Sequence, residues 1–132
     1  MRIALAIVLL AMGGAATAQH AAPLPAPVGP LGIAPGYYVD AAIPCGKAPD
    51  VFFYDGRRVG VPGYDRNGEA AELKILPVGR VTGAGKGSLF IETLDAELRK
   101  LPGGRIVLII QDDGPAMRMC RRDEVPARFR AR

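Results

Sequence analysis

The chain has 132 residues, 49% apolar and 23% charged, which suits one globular domain. Its formal net charge of +4 is mildly basic, so attraction to an anionic surface is permitted but not demanded. One histidine, one serine and two cysteines leave little material for a catalytic triad or a four-ligand zinc site.

The first residues read "MRIALAIVLLAMGGAATAQH". Arg2 precedes an apolar run from Ile3 to Met12, Gly13 and Gly14 follow, and Ala16-Thr17-Ala18 places small side chains where a signal peptidase reads. This is the layout of a secretory signal peptide over residues 1–18, cut after Ala18. The run is short of the roughly 20 residues a membrane-spanning helix needs. The expected mature protein is therefore soluble, carries no transmembrane anchor, and is periplasmic or secreted. Loss of Arg2 lowers the net charge to about +3.

Residues 19–35, "QHAAPLPAPVGPLGIAP", hold five prolines and no charge beyond His20, and read as a flexible, polyproline-leaning linker. From Gly36 the texture changes. "GYYVD" is aromatic and β-branched, a first strand. "VFFYDGRRVGV" predicts a hairpin about Asp55-Gly56. "AAELKIL" alternates, with Ala71, Leu73 and Ile75 on one face, and Pro77 should end or bend it. Ser88–Thr93 reads as strand. Leu94, Leu98 and Leu101 fall at helical spacing, with Asp95 early and Arg99 and Lys100 late, so a short helix is expected before Pro102-Gly103-Gly104. "RIVLII" is expected to be a central strand buried on both faces. Asp112–Pro115 should turn the chain into a last strand, "AMRMCR", with Met117 and Met119 on one face and Arg118 and Cys120 on the other. The predicted fold is mainly β: a small antiparallel barrel or strongly curled sheet of six to seven strands with one short helix. The β domain spans 36–124, and residues 125–132 form a basic tail.

Outside the cytosol thiols oxidise, and two cysteines allow one intramolecular pairing, Cys45–Cys120. Two buried free thiols or a metal pair are the competing readings. A bridge across about 75 residues removes on the order of 4 kcal/mol of unfolded-chain entropy in the loop-closure account. It would tie the two ends of the sheet together, first strand to last, which suits a small barrel or a strongly curled sheet.

Several chemistries fail on inspection. Ser88 and His20 are the only serine and histidine, and His20 sits beside the cleavage point. "RVTGAGKGS" approaches a phosphate-binding loop but has Arg80 and Gly87 where glycine and a hydroxyl residue are required. Asp112-Asp113-Gly114 lacks the further ligands of a calcium loop. Among thirteen acids, Glu92 stands out for lying inside an apolar run. No catalytic residue, metal or cofactor is assigned.

Two features suit binding. The closing "RRDEVPARFRAR" carries Arg121, Arg122, Arg128, Arg130 and Arg132, a candidate contact for an anionic surface. Tyr37, Tyr38 and Tyr54 are candidate aromatic contacts for a partner. With "GYYV" before Cys45, "FYDGRRVG" and a late Cys120, the chain resembles small secreted bacterial proteins of uncharacterised function that carry a signal peptide, a Pro-rich leader and one long-range cysteine pair. That resemblance implies no activity. The expected function is a non-enzymatic interaction module of the cell envelope, binding an envelope protein or polyanion, with no nucleic-acid partner. Alternatives are a carboxylate-only hydrolase acting on a polysaccharide and a structural accessory of an envelope assembly.

Overall fold

The structure, a computed structural model, describes residues 24–132. The expected signal peptide, His20 and the start of the expected linker lie outside the described residues.

Among the described residues nine strands form one antiparallel sheet: β1 (Gly36–Asp40), β2 (Phe52–Tyr54), β3 (Arg58–Tyr64), β4 (Ala70–Pro77), β5 (Val81–Gly83), β6 (Leu89–Ile91), β7 (Ala96–Lys100), β8 (Ile106–Ile109) and β9 (Ala116–Cys120). Their order across the sheet is β4-β3-β2-β1-β9-β8-β7-β6-β5. First and last strands pair directly, Tyr37 opposite Cys120 and Asp40 opposite Met117.

The two edge strands are consecutive in the chain. Eight steps of about 4.8 Å would hold the edges of a flat sheet roughly 38 Å apart. The four peptide links from Pro77 to Val81 reach at most about 15 Å. The sheet must therefore curl until its edges meet. Each neighbouring pair is antiparallel, so β4 and β5, eight steps apart, run in the same direction. They behave as one bent strand that changes partner at residues 78–80. The Val78 N–H donates to the Arg57 carbonyl on the β3 side (2.9 Å), and two residues on the Arg80 carbonyl accepts the Glu92 N–H on the β6 side (3.1 Å). Pro77 ends β4 at this hand-over, as its missing donor predicts.

Period-two alternation sorts side chains into two clusters. Inside the curl lie Tyr38, Phe52, Tyr54, Val59, Ile91, Leu98, Ile106, Leu108 and Met117, drawn from nearly every strand. On the outer side of β1, β2, β4 and β9, Tyr37, Val39, Phe53 and Cys120 meet Val51, Val125 and Phe129. Cys45, in a 3-10 turn after β1, is bonded to Cys120 at the end of β9, with Cα atoms 6.1 Å apart. The bridge thus reinforces the central β1–β9 seam and does not join the two ends of the sheet as expected, because the edges are β4 and β5.

Several expectations need correction. The described residues form nine strands, because Val81–Gly83 and Ala96–Lys100 pair as β5 and β7 beside the expected six to seven. The short helix over Leu94–Leu101 does not form. Asp95 adopts a left-handed conformation (φ 52°) after a 3-10 turn over Glu92–Leu94, and Ala96–Lys100 is strand. Ala96 and Leu98 point inward while Arg99 faces out, so a period of two prevails over strong helix formers once β6 and β8 offer ladders. Nor is β8 buried on both faces: Ile106 and Leu108 are buried, Val107 and Ile109 only partly. The proline-rich stretch is packed in its second half. Leu31, Ile33 and Ala34 are buried, Val28 bridges Ile33, and the Tyr54 hydroxyl donates to the Val28 carbonyl (2.7 Å) while accepting the Leu31 N–H (3.2 Å).

Candidate functional site

One end of the curled sheet opens into a cleft of about 460 Å³. Its position follows from the strand directions. The end of β1, the entry to β2, the end of β3, the β6–β7 turn and the β8–β9 hairpin all reach this end. They contribute Asp40 and Ile43, Asp50 and Phe52, Val61 and Tyr64, Leu94, and Leu108, Ile110 and Met117. The floor is apolar. Asp40, Asp50 and Asp113 are the ionisable lining residues apart from Tyr64, and among the described residues no lysine or arginine lines the cleft.

Local chemistry fixes each wall. Ile110, Gln111, Asp112 and Asp113 form a tight hairpin turn, with positive φ at Gln111 (55°) and Asp112 (70°) and the Ile110 N–H donating to the Asp113 carbonyl at 2.9 Å. Gly114 has another purpose: a side chain there would collide with the Leu108 carbonyl oxygen, so only glycine lets the hairpin close against β8. Asp40 accepts the Ala42 N–H (2.9 Å), which turns the chain away from β1. On the opposite lip, partial burial first and then the charge and hydrogen bond of Asp50 push the Tyr64 phenol above its usual range. Tyr64 is 62% exposed and Ile110 45%. The other exposed large apolar residues among the described ones are Leu24 and Val28, in the leading segment.

The sequence-predicted residues sit elsewhere. Tyr37, Tyr38 and Tyr54 are 5%, 1% and 0% exposed, so they build the two cores and offer no aromatic surface. Burial, and then the neighbouring Tyr54, push the Tyr38 phenol up to about 12, and its hydroxyl donates to the Ala34 carbonyl (2.6 Å). The arginine-rich segment is folded onto the domain. Phe129 is fully buried, and the Ala131 N–H donates to the Tyr37 hydroxyl (2.8 Å). Arg128 donates to the Ala70 carbonyl (3.1 Å) and lies 4.4 Å from the Phe129 ring centre. Arg130 donates to the Val125 and Asp123 carbonyls, Arg122 to that of Ala131, and Arg121 pairs with Asp123 and Glu124. Arg132 is exposed.

Other residues singled out in the sequence are placed as follows. Glu92 is exposed and pairs with Arg80 at 3.4 Å. Ser88 is buried at the foot of the β5–β6 hairpin, whose turn uses positive φ at Gly85, Lys86 and Gly87; the would-be phosphate loop is a hairpin. Among the described residues no group of three or more His, Cys, Asp or Glu side chains is arranged to hold a metal ion, and no helix is long and apolar enough to cross a membrane. Of the cleft residues, the sequence marks Asp113 and Gly114 only as a turn, and Phe52 and Met117 only as strand residues. The cleft residues converge from five separate segments, and no local spacing announces them. Compared with known protein families, characterised proteins and solved structures, the chain matches none.

Proposed function

We propose that this protein is a non-enzymatic interaction module of the cell envelope. Its cleft captures a bulky apolar side chain that has a lysine or arginine nearby, presented by a partner protein. One observation carries the reading: an apolar cavity of about 460 Å³ is ringed by three carboxylates and no cation, on a chain of net positive charge. Apolar anchors held in desolvated pockets supply most binding energy. Charges on the rim add specificity and speed association. A preformed disulfide fits the oxidising compartment that the first eighteen residues suggest, and the resemblance to small secreted bacterial proteins belongs to the same reading. The polyanion version has less support, since four of the five arginines donate to carbonyls or carboxylates of this chain.

The test is selection of a displayed random-peptide library on residues 19–132, followed by calorimetry on the enriched peptides. Enriched sequences should carry a large apolar residue within a few positions of lysine or arginine. Ile110→Lys, which puts a cation on the lip, should weaken them by about tenfold or more, roughly 1.4 kcal/mol. Ile110→Ser should cost less. Enrichment of acidic peptides, or binding indifferent to Ile110→Lys, contradicts the proposal.

The three carboxylates on one cleft also favour a second reading, a hydrolase that uses carboxylates alone on a polysaccharide. Release of reducing ends from envelope glycans, abolished by Asp50→Asn or Asp113→Asn, would select it over the first.

A further inference from the structure

We propose that the Cys45–Cys120 bridge is a thiol–disulfide exchange site, with Arg118 as the positioning residue that stabilises its reduced form. Arg118 stands on the outer side of β9, half-buried, opposite Val39. One guanidinium nitrogen, Nη1, lies 3.0 Å from Cys45 Sγ and 3.4 Å from Cys120 Sγ. The other, Nη2, donates to the Ile43 carbonyl at 2.9 Å. The ion pairs of the described residues involve Arg58, Arg80, Arg99 and Arg121, not Arg118. Lys47 lies two residues beyond Cys45, Arg121 follows Cys120, and nearby Glu124 is occupied by Arg121.

A disulfide sulfur is a weak acceptor, and a thiolate is a strong one. A half-buried cation whose Nη1 meets, among the described residues, only disulfide sulfur therefore gains more from the reduced state than from the oxidised one. Arginine beside a cysteine lowers the thiol pKa from about 8.5 toward 3.5–7.5. Access is asymmetric. Cys45 is partly exposed and Cys120 is 3% exposed, which makes Cys45 the more accessible partner for an incoming thiolate.

The exchange partner is a dithiol. One of its thiolates attacks Cys45 Sγ, forming a mixed disulfide. The Cys45–Cys120 bond breaks, and its electron pair stays on Cys120 Sγ beside Arg118. The second dithiol sulfur, as thiolate, then attacks its own partner sulfur in the mixed disulfide and expels the Cys45 thiolate. The dithiol leaves as a disulfide and two electrons have passed to the protein. Leaving groups of lower pKa leave faster, so Arg118 favours both steps. The bridge then both reinforces the β1–β9 seam and opens to a specific class of reductant.

The test is equilibration of the full chain with dithiothreitol redox buffers at pH 8, read by alkylation and mass. Arg118→Gln should shift the equilibrium toward the disulfide about tenfold, which is about 30 mV for a two-electron couple. Arg118→Lys should fall between. In the reduced wild type, iodoacetamide alkylation of Cys45 should persist well below pH 8 and lose that low-pH arm in Arg118→Gln. An unchanged equilibrium, a shift the other way, or an ordinary thiol profile in the wild type overturns the proposal. Should Arg118→Gln not fold, Arg118→Lys and the wild-type alkylation profile decide it alone.

Discussion

Replacing Phe129 by alanine separates a folded closing segment from a solvated tail. The ring is fully buried in the outer cluster, against side chains from β1, β2 and β4. Burying it removes roughly 150 Å² of apolar surface from water, worth about 4 kcal/mol at about 25 cal/mol per Å². Large-to-small changes of this type in cores cost about 3–5 kcal/mol, so the two routes agree. A substitution in a solvated tail stays within about 0.5 kcal/mol. Urea unfolding of the oxidised protein, followed by circular dichroism, reads the difference, with Arg132→Ala as an exposed control. A loss of about 3 kcal/mol or more is expected for Phe129→Ala. A loss below about 1 kcal/mol would refute the packing of residues 125–131 onto the sheet.

Other perturbations probe other joints of the fold. Tyr54→Phe leaves the Val28 carbonyl and Leu31 N–H without their partner; it should cost about 1–3 kcal/mol and expose residues 28–34 to faster hydrogen exchange. Gly114→Ala drives a methyl onto the Leu108 carbonyl and should cost about 1–3 kcal/mol, with the largest amide shifts at residues 108–115. Tyr38 is neutral up to about 12 in the folded chain but ionises near 10.0 when exposed. Its contribution is therefore complete below pH 10 and fades as pH rises toward 12, at up to about 1.4 kcal/mol per pH unit. Urea midpoints at stepped alkaline pH should fall accordingly, and less steeply in Tyr38→Phe.

Elements specified by neighbouring residues were legible. Asp55 takes the Arg57 and Arg58 N–H groups onto one carboxylate oxygen, which makes the β2–β3 turn a local matter. The alternation of Met117, Arg118, Met119 and Cys120 gives their faces correctly, and the cysteine pair is expected from an even count read together with export. Where two periods compete, tertiary partners decide. Ala96–Lys100 satisfies a helix through Leu94, Leu98 and Leu101, and a strand through Ala96 and Leu98; two waiting neighbours settle it. Strand β5 is three residues ending in glycine, too short to signal itself. Composition misleads in the proline-rich stretch and the arginine-rich segment, since Leu31, Ile33 and Phe129 each carry their segment into the protein. The cleft was invisible because it belongs to the topology: its lips, Tyr64 and Ile110, are 46 residues apart in the chain and meet only when the sheet curls.

The most direct measurement is an amide NMR titration of residues 19–132 with the highest-affinity selected peptide. The account predicts that the largest shifts fall on Asp50, Tyr64, Ile110 and Asp113, with residues 121–132 unmoved. Shifts concentrated on the arginine-rich segment, with the cleft silent, would contradict it.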